Sequence, residues 1–428
     1  MPSPPRGADP SGRDAGWFAP VPAYRLASFR VALAVTTVAL HVPKINGFIA
    51  AYVASSFHVP PAFGWLPPLP PFAGAVLPPL QYAAAGGLLL GVWPRVSAWL
   101  LVAVGAWVTL LDLQHYSHNA HFHLTLLALA GCSSDGLSLR RLLRDDDASA
   151  RCPAWPEHLV RLQVAIVFFY AALDKVFSPF WGATGTVFSG LRMADHGFGL
   201  GMLQSVNRRV LGVIPGALSV ATILTEFFLA AVALVPRFWP IGLVVGLGFV
   251  VSIEFLLAPG LFAWDLLVAG LVFLPAGDRG WSVMYSPTCA ACGRNRAILS
   301  LLDWLRRLRW VAVGTPARPE TASPFAEANG VPLIHLRSPR DRAFCGLGAL
   351  RALPLVLAPP VVVLLVVARF GGGFLAARGY GPWDDLPFLL LGAYLASWLP
   401  EIARGWIRAR GVSVARGCAH GSGTADYS

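Results

Sequence analysis

Charge is what this chain has least of. Of its 428 residues only 13% are Asp, Glu, Lys or Arg, against about a quarter in an ordinary soluble domain, so charged side chains are too few to cover a water-soluble body of this size. Lysine is nearly missing: Lys44 and Lys175 are the only two, and the other 31 basic residues are Arg. The net charge of +11 therefore sits on Arg beside apolar runs, a pattern that suits loops facing anionic lipid; nucleic-acid binding is not expected. Six Cys with one close pair, Cys289 and Cys292, are too few for a secreted disulfide scaffold. Residues 1–23 are rich in Pro, Gly and Asp and carry no apolar stretch, so they read as an unstructured tail rather than a cleaved signal peptide.

What the chain has in excess is apolar: 56% hydrophobic residues, 25 Phe and 15 Trp, with a mean hydropathy of +0.60. Apolar runs fall at Leu26–Val42, Phe72–Val92, Val96–Leu113, Phe122–Cys132, Leu159–Val176, Ile214–Val235, Phe238–Leu257 and Leu261–Pro275. Most approach the roughly 17–25 residues that cross a bilayer as helix, so about eight spans are expected. The fourth is short unless it extends back through His118. Two further runs, Leu353–Phe370 and Leu386–Leu399, predict one or two more membrane helices before an unstructured tail, 405–428.

With the N-terminus inside, Arg6, Arg13, Arg25, Arg95, Arg140, Arg141, Arg144, Arg151 and Arg237 fall on the inner side, as the positive-inside rule expects. Arg192, Arg208 and Arg209 break the pattern, which predicts an interfacial helix in their loop. The same count places residues 277–352 in the cytoplasm, and the Arg- and Ala-rich, Lys-poor usage points to a bacterial inner membrane.

Residues 277–352 differ from the rest, being dense in Arg, and their pattern predicts a small α/β unit. A strand at Trp281–Tyr285 leads into Cys289-Ala-Ala-Cys292 and a helix over Asn295–Leu308; strands follow at Leu308–Val313 and Val331–Leu336, then a helix at Leu347–Leu353. A thiol near a helix N-terminus is favoured as thiolate, and a second one two residues on can resolve a mixed disulfide. The alternatives are an inert pair, or half a zinc site lacking its other ligands.

The run Asp112–His123 reads DLQHYSHNAHFH. At helical spacing Asp112, His115 or Tyr116, Asn119 and His123 share a face, and His118 and His121 turn partly away. Ionisable groups within a membrane are costly and are functional candidates by default. The competing readings are a solvated, His-rich helix start and a metal site completed by His41, Glu226, Glu254 or Asp265. Lys175, next to Asp174 in FFYAALDKVFSPFW, is a candidate general base. Its alternatives are an interfacial lysine or an ion pair with Asp174.

Two resemblances follow from these motifs. The order Asn119-Ala-His, Leu137-Ser-Leu, Pro153-Ala-Trp155, then Arg161, Gln163, Tyr170, Lys175 and Trp181 resembles the HTTM domain, the membrane module of vitamin K-dependent gamma-carboxylases and bacterial relatives, over Tyr24 to Pro275. The resemblance implies that Lys175 stands where the carboxylases have the base that deprotonates vitamin K hydroquinone. It also implies a quinone-sized cavity, for which Asn119, His115, His123 and Tyr170 are candidate lining residues. Ala120 stands where the carboxylases have a histidine, a second membrane histidine is replaced near Val250, and the large extracytoplasmic domain is missing, so glutamate carboxylation is not expected. The run VMYSPTCAAC (Val283–Cys292) resembles the DCC family of thiol-disulfide oxidoreductases, which implies a thioredoxin-like fold over 277–352. Ser286 stands where that family has Asp, Pro332 where such folds place a cis-proline, and Cys345 is a third thiol read as a buried small residue.

The expected molecule is mainly α: a polytopic helical membrane bundle over 24–276, a small α/β thioredoxin-like domain over 277–352 and C-terminal membrane helices over 353–404. Its expected function is membrane-linked thiol-disulfide exchange by Cys289 and Cys292, with the bundle binding a quinone or another lipid-soluble partner. Two alternatives are a non-redox enzyme using Lys175 as base, and a transporter or assembly factor with a degenerate docking domain. Partners would be the lipid bilayer and a protein thiol or quinone; a metal is left open.

Overall fold

A helical stretch of 31 residues, Tyr24–Ala54, opens the membrane part. The computed structural model describes residues 16–54, 64–111, 117–133, 151–178, 181, 214–257, 261–274, 281–285, 290–305, 308–312, 335–337, 343–345, 357 and 359–363. The opening stretch comprises α1 (Tyr24–Thr36), one π-helical turn (Thr37–His41) and α2 (Val42–Ala54). The wide turn has a local cause. Pro43 has no N–H to donate to Ala39 and its ring crowds that carbonyl, while Thr36 and Thr37 return their hydroxyls to Ala32 O (3.0 Å) and Leu33 O (2.7 Å), bonds that bend helices.

α3 (Ala73–Leu90) runs through Pro78 and Pro79 and stops at Gly91, whose φ of 72° is left-handed; glycine reaches that region without a Cβ penalty. Val92 N–H then bonds Gly87 O at 2.8 Å, and Pro94 opens α4 (Pro94–Leu111) at the position where a missing N–H costs least. α5 (His118–Cys132) begins where Ser117, in extended conformation, accepts the Ala120 N–H on its side chain, an N-cap that satisfies one orphan donor. The helices α6 (Trp155–Phe177), α7 (Ile214–Leu234), α8 (Trp239–Leu257) and α9 (Leu261–Gly270) complete the bundle.

A two-stranded ribbon, β1 (Pro20–Pro22) with β2 (Arg151–Pro153), antiparallel, ties the starts of α1 and α6 together. That end of the bundle, with the α3–α4 turn and Ser133, whose carbonyl accepts from Arg95 Nε, is termed the near end. At the far end Lys44 Nζ donates to Ser117 Oγ at 2.9 Å. Between the ends, Phe29, Leu33, Leu88, Leu101, Leu126, Leu127, Trp264 and Val268 fill one buried core. Packing in lipid depends on close approach rather than on hydrophobic burial. At Gly105 a Cβ would stand 2.5 Å from Leu124 Cδ2 and 3.0 Å from His41 Nε2. Outward-facing Val76, Leu80, Leu224, Phe228, Ile241 and Val244 are exposed, which suits a surface facing acyl chains.

Beyond the bundle, β3 (Trp281–Tyr285), α10 (Ala290–Leu302), β4 (Leu308–Ala312), β5 (His335–Arg337) and β6 (Ala343–Cys345) form a four-stranded sheet ordered β4-β3-β5-β6. β3 and β4 are parallel, joined through α10; β5 is antiparallel to β3 and β6 to β5. Asp303 accepts the Leu308 N–H at 2.8 Å and fixes the turn into β4. Trp304 is buried against Val21, Tyr24, Leu26, Cys152 and Ala154, so this unit docks on the near end.

Several expectations change. Among the described residues four helices are long and apolar enough to cross a membrane, Tyr24–Ala54, Ala73–Leu90, Pro94–Leu111 and Gly216–Leu234, with shorter apolar helices at Ile241–Ser252 and Leu261–Phe273. The fourth run does reach back to His118, yet α5 is only 15 residues long. α6 has the length but carries four charged residues, Glu157, Arg161, Asp174 and Lys175. β1 falls in the stretch read as a tail. α10 starts five residues before the expected Asn295, and β6 was not foreseen. The run from Leu353 contributes Val362 and Val363 to the bundle core; Pro332, the Leu347–Leu353 helix and the Leu386–Leu399 run lie outside the described residues.

Candidate functional site

Three polar clusters lie inside the bundle. At the near end Arg25 Nη1 donates to Glu157 Oε2, and Arg161 Nη2 donates to the same oxygen at 3.0 Å and to Val272 O at 2.7 Å. The Arg161 guanidinium also lies 4.0 Å from the centroid of the Trp239 ring, where the π-face attracts a cation. One carboxylate thus joins two guanidiniums from α1 and α6, and a carbonyl and an indole engage the second of them. That is a structural tie, and it accounts for Arg161 of the motif.

The second cluster holds Lys175, two residues before the last residue of α6, Phe177. Its Nζ donates to Glu226 Oε1 of α7 at 2.8 Å and to Ala171 O at 3.2 Å, and lies 4.9 Å from the Trp181 ring centroid. The side chains are 14% and 4% exposed. The neighbour Asp174 is exposed, so the partner of Lys175 comes from across the helix interface rather than from the adjacent residue. Glu226 Oε2 has no hydrogen-bond partner among the described residues.

The third cluster gathers His123, His41 and Asp265 from α5, the π turn and α9. His123 Nδ1 lies 2.7 Å from Asp265 Oδ1, its Nε2 lies 3.1 Å from Thr37 Oγ1, and its ring stacks on His41 with centroids 4.5 Å apart. All four residues are fully buried. Both ring nitrogens of His41 and Asp265 Oδ2 have no hydrogen-bond partner among the described residues.

The sequence-derived candidates are thus distributed unevenly. His123 is central to the third cluster, with His41 and Asp265, which the sequence offered only as metal ligands. Glu226, offered likewise, instead pairs with Lys175. Asn119 is half-buried, and His118 and His121 are exposed at the start of α5, turned away from His123 as the periodicity required. Tyr170 is 63% exposed and packs edge-on against Phe169. Five residues from Lys175, about 140° round the helix, it does not join that pair. Asp112, His115, Tyr116, Ser286 and Cys289 lie outside the described residues, as do the side chains of Glu254, Cys292 and Cys345, although Cys292 falls in the first turn of α10. Cys132 and Cys152 form no disulfide. Among the described residues no group of three or more His, Cys, Asp or Glu is arranged to hold a metal ion. Thr37 was missed; its only signal is a position one turn before His41 in an otherwise apolar run.

A bundle of apolar helices with exposed apolar faces and buried ion pairs defines a polytopic membrane protein. Residues 18–277 match the HTTM domain, and the chain belongs to that family. The unit beginning at Trp281 lies outside the matched residues. Comparison with curated proteins and with solved structures returns no match.

Proposed function

We propose that the protein is a membrane enzyme in which Lys175 and Glu226 handle a proton of a lipid-soluble, hydroxyl-bearing substrate of the hydroquinone class. The observation that carries this reading is the 2.8 Å contact between Nζ and Oε1 of two side chains largely withdrawn from solvent, at the position where the family resemblance expects a base. A proton lying between two such groups can sit on either of them, because the amine and the carboxylate both accept one. With one proton on the pair, either the amine or Glu226 Oε2 takes a second from the substrate hydroxyl. The pair then carries +1 and holds the substrate anion electrostatically. Asn119 remains a candidate for orienting that substrate.

The test places full-length protein in lipid nanodiscs with a short-chain hydroquinone and follows the absorption of the hydroquinone anion. Wild type is expected to form the anion on binding and Lys175→Met to bind without forming it. Identical spectra for the two proteins would overturn the reading.

A second reading is favoured by the α/β unit. A parallel β-α-β followed by two antiparallel strands, ordered β4-β3-β5-β6, is the plan expected of a thioredoxin-like unit, and it supports the resemblance of Val283–Cys292 to a thiol-disulfide oxidoreductase. In this reading Cys289 attacks a partner disulfide and Cys292 resolves the mixed disulfide. Oxidising the dithiol releases two electrons and two protons, what a quinone takes up to become a hydroquinone. The unit docks at the near end, assigned to the cytoplasmic side of a bacterial inner membrane by the Arg count. Lys175 lies about 30 Å along α6 from Trp155, so a lipid-soluble carrier would have to connect the two chemistries. Differential alkylation of Cys289 and Cys292 in membranes, with and without oxidant, tests it. Reversible oxidation supports the reading, and permanently reduced thiols would leave the unit as a docking module, consistent with Ser286.

A further inference from the structure

The third cluster is not used by either reading, and its protonation state sets the hydrogen bond that Thr37 makes. Thr37 has one hydroxyl proton, and its Oγ1 is 2.7 Å from Leu33 O and 3.1 Å from His123 Nε2. If Thr37 donates to Leu33 O, Nε2 must carry a proton and donate to Oγ1. Nδ1 then either carries a second proton, donated to the Asp265 carboxylate, or accepts one from an Asp265 carboxylic acid. If instead the site holds one proton fewer, Nδ1–H faces a carboxylate, Nε2 is bare, and the Thr37 hydroxyl must swing from Leu33 O to His123. Gain or loss of one proton therefore switches the Thr37 hydrogen bond inside the π turn.

Three further observations point the same way. Both His41 nitrogens and Asp265 Oδ2 are buried without hydrogen-bond partners among the described residues, and leaving a buried polar group unsatisfied is costly. A fold retains such groups where they serve as more than packing. π turns inside α-helices are frequent at functional sites, and this one carries both Thr37 and His41. Finally, the polar side chains extend towards the far end: Lys44 stands one turn beyond His41 and donates to Ser117, the N-cap of α5.

Among the described residues the surroundings hold little other charge. Lys44 of α2 is the charged side chain whose field acts on His41, His123 and Asp265. α4 presents Gly105 to His41, and Thr109 is occupied with Gly105 O at 2.8 Å. From α3, Gln81 is bonded to Asn46. On α9, Asp265 is flanked by Trp264 and Leu266. Arg30 of α1 is seven residues from Thr37, about 10 Å along the helix.

We propose that Thr37, His123, Asp265 and His41 form a proton-binding site within the bundle, which holds one exchangeable proton between His123 and Asp265 and exchanges it through His41 with the Lys44 end. This site goes beyond the Lys175 reading and does not depend on it.

The test uses full-length protein in nanodiscs, with infrared difference spectra against pH and ¹⁵N-histidine resonance. The expected result is one carboxylic-acid carbonyl band, missing in Asp265→Asn, that titrates with the same midpoint as a ring signal missing in His123→Gln. Thr37→Val keeps the volume and removes the hydroxyl, and is expected to shift that shared midpoint by at least tenfold in proton concentration. His41→Phe keeps the ring stack without nitrogens, and is expected to leave the midpoint in place while slowing deuterium exchange of the proton at least tenfold. A carboxyl band that titrates independently of His123, or neither signal titrating while the protein stays folded, overturns the shared-proton site. Wild-type exchange in His41→Phe overturns the path through His41. Because Lys175 is intact in every variant, hydroquinone-anion formation reports separately on that pair.

Discussion

The near end and the far half of the bundle bury similar chemistry to different ends. At the near end two guanidiniums converge on one carboxylate, and a carbonyl and an indole ring take up more of Arg161. In the far half one lysine meets one glutamate, which like Glu157 has one oxygen unpartnered among the described residues, and a stacked His41 has neither nitrogen engaged among them. Buried ion pairs as such are weak grounds for stability or for function. The contrast lies in stoichiometry: at the near end two guanidiniums share one carboxylate and hold α1, α6 and the segment after α9 together, whereas the far half sets one ammonium against one carboxylate and buries an imidazole with no hydrogen-bond partner among the described residues.

The comparison is broken most severely by Glu157→Ala, which leaves Arg25 and Arg161 buried without their carboxylate. A loss of about 3–5 kcal/mol is expected, read as a large drop in thermal stability of the detergent-solubilised protein. A near-end cluster that tolerates this change is not the tie described. Gly105→Ala comes next, because its Cβ meets Leu124 and the His41 ring; overpacking of this kind costs about 1–3 kcal/mol, and the His41 and His123 resonances are expected to move with it. Glu226→Gln is expected to cost less stability than Glu157→Ala yet to lower hydroquinone deprotonation by about 10²–10⁴, the usual worth of acid–base assistance. Equal stability losses in the two variants would erase the distinction between the ends. The smallest effect on the bundle is expected from Trp304→Ala. This change should open the segment after residue 274 to limited proteolysis while the bundle's melting moves less than in the three variants above, because Trp304 packs only at its near end.

Much of this was legible before any coordinates. Low charge and long apolar runs announced the bundle, and the Arg161–Trp181 motif announced the family. Trp281–Tyr285 emerged as a strand at the expected bounds because it is short, β-prone and followed by turn residues. Where a span ends is less legible, since hydropathy scores a run such as Leu261–Pro275 without knowing that α9 gives way to a 3₁₀ turn at Leu271. The candidate sites were legible as residue types, because His41, Glu226 and Asp265 are conspicuous ionisable groups in apolar runs. Their pairing was not, because it depends on which faces of α5, α7 and α9 meet, and no local pattern encodes a contact 142 residues apart such as His123 with Asp265. The π turn was hidden too, as Pro43 signals a disturbed ladder without saying how it is resolved.

Because the chain has only two lysines, one measurement addresses the Lys175 pair directly. Native vesicles are treated at neutral pH with a membrane-permeable amine-acylating reagent, and modification of Lys44 and Lys175 is read by mass spectrometry with and without a lipid-soluble hydroquinone. The account predicts that Lys175 is acylated in the folded protein, that the hydroquinone protects it and leaves Lys44 unchanged, and that Glu226→Gln alters its rate. Acylation of Lys175 only after denaturation, or at a rate indifferent to both hydroquinone and Glu226, would contradict it.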